Sequence, residues 1–315
     1  MSKPIASLSL DLDNKWSYMK NNGDQGWEEY PSYFDVFVPY ILKLLEELDL
    51  KLTFFIVGQD AAIDGNKKYL RMIADAGHEI ANHSFKHETF LHLYTREELE
   101  EELDVSHAII KEVSGQEPKG FRGPGFTWSE TLLEVLSERG YRYDSSTWPT
   151  FIGPLARWYY FKTSDLTKEE KKERKELFGK FSDGFKKLKP HLKKLKNNST
   201  LLELPVTTMP IFRIPIHLTY LVYLSGLSKQ LMYFYLKCAL FLCKLTRTPP
   251  NFLIHPTDLL GGDLVTGMDF FPGMQIPSEQ KSEIFKKVIH IFSKRYTLIT
   301  VDEHATGVLK KYEKT

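Results

Sequence analysis

The chain has 315 residues, with 42 Lys and Arg against 41 Asp and Glu and a formal net charge of +1. That balance excludes a general electrostatic attraction to nucleic acid, so any charged contact has to be local. Two cysteines, Cys238 and Cys243, exclude a disulfide scaffold, while 42% hydrophobic and 13% aromatic residues supply a core and leave rings for lining a groove. The length suits one continuous α/β core carrying insertions. The start, Met-Ser-Lys-Pro-Ile-Ala, lacks the apolar run of a secretory signal and passes straight into a strand, which with the free thiols predicts the cytoplasm.

From Ile5 to Asp13 the residues alternate. Leu8, Leu10 and Leu12 fall on one face, and Ser7, Ser9, Asp11 and Asp13 on the other. Two carboxylates on one face call for a cation or an arginine, unless the segment is a solvated strand end entering a loop. Residues 14 to 34 read as a long aromatic loop, with Trp16, Trp27, Tyr30 and Tyr33 available for stacking on sugar faces or for packing a lid. A βα rhythm follows: helix over 36–49, strand over 51–57, helix over 67–76 stopped by Gly77, strand over 78–81. Alternation of this kind predicts a parallel sheet with its site at the C-terminal strand ends.

The third strand delivers His83-Ser84-Phe85-Lys86-His87. On a helical turn this four-residue spacing puts both imidazoles on one face, supplying two corners of a metal site, or else the pair are polar loop histidines. After a long helix over 97–113, whose His107 reads as a packing residue, come two further strand ends. One is the tight Gly/Pro loop carrying Arg122, Gly123, Pro124 and Gly125, and the other runs from Tyr141 through Asp144 to Trp148. Much later, Phe252-Leu253-Ile254-His255 repeats the design.

These five ordered motifs resemble the NodB-type polysaccharide deacetylases, carbohydrate esterase family four, across residues 5 to 150 and again from about 200 onward. The resemblance implies a distorted (β/α) barrel. It further implies Asp11 as general base, Asp13, His83 and His87 as metal ligands, Arg122 beside Asp11, and Asp144 raising the pKa of His255 as general acid. Gly125 stands where the family has a tyrosine whose amide binds the oxyanion, and Trp148 completes the fourth motif. Asp-Leu-Asp-Asn replaces the usual Asp-Asp-Gly, as in the branch acting on peptidoglycan-type or lipid-linked substrates. The implied activity is metal-dependent N-deacetylation of an acetamido sugar in a glycan or glycolipid, with Zn2+ or another divalent ion such as Co2+. A deformylase or amidase acting on a lipid-linked sugar, and an idle carbohydrate-binding relative, are the alternatives. Four retained proton-transfer residues argue against the last, since binding alone needs none.

The whole of 1–315 reads as one deacetylase domain, with 151–250 a helical, partly basic insertion around a core strand near 201–207. Between Lys162 and Lys196 there are 13 Lys and Arg against 6 Asp and Glu. Phe178, Phe181, Phe185, Leu188, Leu192 and Leu195 recur there at steps of three and four. That pattern predicts a basic amphipathic helix suited to an anionic membrane surface, or a packing insertion with a solvated face. From Ile216 to Leu245 an apolar segment broken by lysines is too short to span a membrane and reads as a surface element or helical hairpin. Peripheral association with the inner face of the membrane follows as an expectation. A helix over 278–296 and a strand over 297–301 close the pattern.

Overall fold

The computed structural model describes residues 3–314. Its strands are β1 (Ile5–Asp11), β2 (Thr53–Ile56), β3 (Glu79–Asn82), β4 (Gly120–Phe121), β5 (Tyr143–Asp144), β6 (His191–Lys194), β7 (Thr200–Glu203), β8 (Asn251–Ile254) and β9 (Thr297–Ile299). They form one sheet in the order β6-β7-β5-β4-β3-β2-β1-β8, with β9 paired to the start of β1. Every pairing is parallel except β6 with β7. Beyond β7, Thr207 N–H donates to the Asn251 carbonyl. The Asn251 side chain donates to Ser145 Oγ and to the Leu204 carbonyl, so one residue of β8 ties the two ends of the sheet together. The result is the distorted α/β barrel expected.

The helices are α1 (Lys15–Asn22), α2 (Phe34–Glu47), α3 (Gly58–Ala62), α4 (Asp64–Asp75), α5 (Arg96–Ser114), α6 (Glu130–Glu138), α7 (Gly153–Thr163), α8 (Lys168–Glu173), α9 (Leu218–Leu227), α10 (Lys229–Leu245), α11 (Ser278–Ser293) and α12 (Val301–Tyr312). Local signals account for several ends. Thr95 and Glu98 form a capping box on α5, which Gly115 stops in a left-handed conformation, and Ser129 caps α6. Leu8, Leu10 and Leu12 pack outward against Phe34, Phe37 and Ile41 of α2. On the interior side, Phe55, Ala81, Tyr143 and Leu202 meet Val301 and Ala305 of α12, and Ser7 bonds His304. Thus α12, absent from the sequence reading, plugs the barrel at the N-terminal ends of the strands.

Two expected segments differ. Residues 14 to 34 are not a free loop: α1 begins at once because the Asn14 side chain accepts from Lys15 N–H and also from Tyr33 N–H. The Phe/Leu stripe over 178–195 is not a helix. It breaks into a 3-10 turn at Phe181–Phe185 and the strand β6, which β7 recruits by antiparallel pairing from His191 to Lys194. Ladder hydrogen bonds to an existing sheet outweigh the modest propensity gain of a helix containing Gly184 and Pro190. The apolar segment 216–245 is a hairpin of α9 on α10, and among the described residues no helix is long and apolar enough to cross a membrane.

Candidate active site

Strand alternation brings the site together. Asp11 ends β1 facing the barrel interior, Asp13 follows two residues on, and His83 follows β3. The chain then turns through left-handed conformations at Ser84 (φ 65°) and His87 (φ 54°). The two histidines therefore meet on a strained strand-end turn and not on a helix, with ring centroids 5.1 Å apart. Ligand atoms of Asp13, His83 and His87 lie within 4.8 Å of one another, all buried. His87 Nε2 stands 2.9 Å and His83 Nε2 3.4 Å from Asp13 Oδ1. His83 Nδ1 faces the Arg122 carbonyl at 2.6 Å, which fixes its proton there and leaves Nε2 with a lone pair.

Asp13 Oδ1 and His87 Nε2 face each other without the alignment of a hydrogen bond, and His87 Nδ1 is buried with no hydrogen-bond partner. Such atoms are costly unless something binds them, and a carboxylate with two imidazoles is the donor set of a divalent transition ion with open positions. The residues fit the metal that the motifs imply. Burial opposes the charge on Asp13, yet His87 and His83 together hold its carboxyl well below the usual range. Beneath, Asn14, Trp16 and Asn66 all donate to Asp60 Oδ1, and burial pushes Asp60 up to about 7. Trp16 sets its ring edge-on to His87 at 6.4 Å. Asp60 had no sequence signal beyond its place after a strand.

Arg122 is wholly buried. Its guanidinium lies over the Phe55 ring and binds Asp11 Oδ1 at 2.5 Å, Ser9 Oγ at 3.0 Å and Ser145 Oγ at 2.9 Å. The other Asp11 oxygen is 3.9 Å from both His83 Nε2 and His255 Nε2. One carboxylate thus sits between the metal-type cluster and His255, clamped from behind.

The pairing of Asp144 with His255 is corrected. Asp144 accepts from Ser146 Oγ at 2.6 Å and shares a hydrogen bond with Glu203; burial raises both carboxyls, Glu203 further because Asp144 is beside it. Ser146 Oγ in turn accepts from Gly123 N–H, so Asp144 braces the Arg122–Gly123 loop. The carboxylate beside His255 is Asp258: its Oδ2 is 3.6 Å from Nδ1 and accepts the His255 backbone N–H at 2.8 Å. Burial alone would lower His255, but Asp258, then Asp11 and Asp13, raise it to about 9. The spacing His255-Pro256-Thr257-Asp258 is a local signal for this partner. Lys281, fully buried, holds the turn by donating to the Thr257 and Leu260 carbonyls.

Gly125 adopts φ 59°, and a Cβ there would come 2.5 Å from Leu177 Cδ1. A tyrosine would meet both a left-handed backbone and a filled space, which explains the glycine. Trp148 is buried, stacks on Phe126 at 4.8 Å and meets His217 edge-on; His217 reaches His255 at 6.0 Å. Trp148 therefore lies one ring beyond the His255 side of the site. His217 was not foreseen.

Residues 24–143 match the family model described as polysaccharide deacetylase. The peptidoglycan deacetylase of Helicobacter pylori is 31% identical over 173 residues, 52% of this chain and 56% of that protein. The chitooligosaccharide deacetylase of Rhizobium leguminosarum bv. phaseoli is 33% identical over 97 residues, 31% of this chain and 42% of that protein. A crystal structure from Mycobacterium smegmatis, of a protein assigned as a polysaccharide deacetylase, shares the fold at a TM-score of 0.58 and 18% identity, covering 99% of this chain and 96% of the other. The chain spans about half the length, or less, of the curated relatives it matches.

Proposed function

We propose that the chain, whose residues 24–143 match the polysaccharide deacetylase family model, works as a NodB-type deacetylase of carbohydrate esterase family four: a metal-dependent hydrolase removing the acetyl group from an N-acetylated sugar of a glycan or lipid-linked glycan. One observation carries the reading: a buried three-ligand cluster of Asp13, His83 and His87 beside a carboxylate, Asp11, that Arg122 clamps within reach of His255. Binding alone needs no such proton-transfer pair.

In this reading Asp13, His83 and His87 hold a divalent cation, Zn2+ or Co2+. When bound it supplies Lewis acidity, lowering the pKa of water from ~15.7 towards ~7 and polarising a carbonyl. Asp11 takes up the proton of the attacking water through its free oxygen, since the other is engaged by Arg122. His255, charged near neutrality because Asp258 and Asp11 outweigh its burial, delivers a proton to the departing amine. The Gly125 amide is assigned to the oxyanion, and Trp148 to backing His217 behind His255. Free Cys238 and Cys243 fit a reducing compartment, and we treat 151–250 as built into one catalytic unit.

The test is acetate release from N-acetylated oligosaccharides by protein loaded with Zn2+ or Co2+. Release abolished in Asp11→Asn with metal content unchanged is the expected result. Metal-loaded wild type that releases no acetate from any N-acetylated glycan would overturn the reading, and formate release from an N-formyl sugar instead would identify a deformylase.

A further inference from the structure

The insertion turns an unusual amount of apolar surface to solvent. On α10, Met232, Leu236, Ala239, Leu240 and Cys243 are buried against the body. Leu231, Phe234, Phe241 and Leu245, spaced to share the opposite face, are 48% to 66% exposed. A helix apolar on both faces is the pattern of a helix covered on both. The face continues sideways. Tyr235 donates to the Pro215 carbonyl and packs with Met209 and Ile216, seating the turn whose Ile211, Phe212 and Ile214 are exposed. Arg213 of that turn donates to the Lys186 carbonyl, beside exposed Phe181 and Phe185. Arg157 of α7 ties to the Leu177 and Gly179 carbonyls and brings exposed Leu155, Trp158 and Tyr159 alongside. The belt thus runs from α10 to the rim of the catalytic mouth, where Phe178 N–H meets the Gly125 carbonyl.

Along the other flank of α10, a cavity of about 460 Å³ opens against α11. Its lining holds Lys237, Lys287, Lys294 and Arg295 with His290, and no carboxylate. In a chain of net charge +1 this is a local concentration of cations next to a Phe/Leu stripe. We propose that the α10–α11 face and the adjoining belt dock onto the surface of an anionic phospholipid bilayer, with lipid phosphates in the cationic cavity and the Phe/Leu side chains inserted shallowly. Long basic side chains beside inserted rings suit the headgroup layer, where their stems lie along apolar surface and their charges reach water. A second copy of the chain fits less well, because an isologous contact would bring like cations together. Two lysines of the 162–196 stretch, Lys186 and Lys193, are already engaged elsewhere: they lie over the Trp128 ring at 4.0 and 3.7 Å. The surface excludes the catalytic residues and stands or falls apart from the chemistry proposed for them.

Sedimentation with vesicles tests the proposal. Wild type is expected to pellet with phosphatidylcholine vesicles containing about one third phosphatidylglycerol, less so in high salt, and not with phosphatidylcholine alone. Lys287→Glu with Lys294→Glu, and separately Phe234→Gln with Phe241→Gln, should each weaken binding roughly tenfold or more, while acetate release from a water-soluble oligosaccharide stays at the wild-type level. Wild type that remains in the supernatant with anionic vesicles overturns the proposal, as do variants that bind like wild type. A wild-type dimer that the Phe234→Gln, Phe241→Gln pair dissociates, with no vesicle binding, replaces the lipid by a second copy and also overturns it.

Discussion

The strand ends and the insertion obey different rules. At the strand ends the chemical groups converge on the barrel interior, and partners from other strands hold several of them: Arg122 of the fourth strand end clamps Asp11 of the first, and its carbonyl orients His83 of the third. In the insertion, large apolar groups such as Phe185, Leu227 and Phe234 face solvent, and two lysines of an apparent charged face, Lys186 and Lys193, lie over one tryptophan ring. The two-residue period of a parallel strand fixes the direction of a side chain before any packing is known. The 3.6-residue period of an apolar stripe does not, once a neighbouring strand can claim the segment, and only the strand ends could be read directly.

The largest expected effect breaks the strand-end constellation itself. His83→Ala, His87→Ala and Asp13→Ala should each lose bound metal by elemental analysis and lose turnover by roughly 10³-fold or more, whereas Asp11→Asn should keep full metal and lose roughly 10²–10⁴-fold. Full metal occupancy in His83→Ala would remove that residue from the ligand set.

Next in size is the choice between the two carboxylates proposed for His255. A neighbouring carboxylate favours imidazolium, so removing the true partner lowers the pKa of His255 and brings the alkaline limb of the pH–rate profile to lower pH. Asp258→Asn should therefore shift that limb down by about one unit or more and cost roughly 10- to 100-fold in turnover. Asp144→Asn should leave the limb in place, because its partners are Ser146 and Glu203. A limb that moves in Asp144→Asn alone would restore the pairing read from the motifs.

Much of the site was legible because it needs only strand direction and residue type. Asp11, Asp13, His83, His87, Arg122 and His255 all arrive where alternation and a parallel sheet put them. The His255 partner was misread for a specific reason: a carboxylate was sought on a neighbouring strand end, while the turn immediately after β8 supplies one three residues on. Lys281 was illegible, since nothing in an amphipathic helix marks which lysine will be buried to satisfy two carbonyls of a distant turn. The same holds for α12, whose apolar face is explained only by the barrel interior it fills.

A smaller effect separates bracing from catalysis within the barrel. Glu203, raised by burial and by Asp144, keeps a proton in the folded chain that the unfolded chain releases near its ordinary value. That raised folded-state pKa gives stability fully present below about 4.5 and lost as pH rises through the folded value, with a slope of at most about 1.4 kcal/mol per pH unit. Glu203→Gln should flatten this part of the stability–pH curve, measured by denaturant unfolding, and leave metal content unchanged. A curve that keeps its slope would mean that the proton resides elsewhere.

The smallest effect probes the basic stretch of the insertion directly. Lys193 and Lys186 stand on one Trp128 ring, and burial lowers the pKa of Lys193 despite Glu130, Glu203 and Asp144 nearby. A cation held this way stabilises by about 0.5–1 kcal/mol where partly exposed, and the pairing with Glu130 at 3.6 Å adds little. Lys193→Met should thus lower stability by about that amount in thermal unfolding, with turnover on a soluble oligosaccharide unchanged, and Trp128→Leu should cost more because it releases both lysines. If Lys193→Met proves neutral in the wild type and in the Trp128→Leu background alike, the stack is a surface coincidence, and the lysines of this stretch return to the set of charges free to meet a partner.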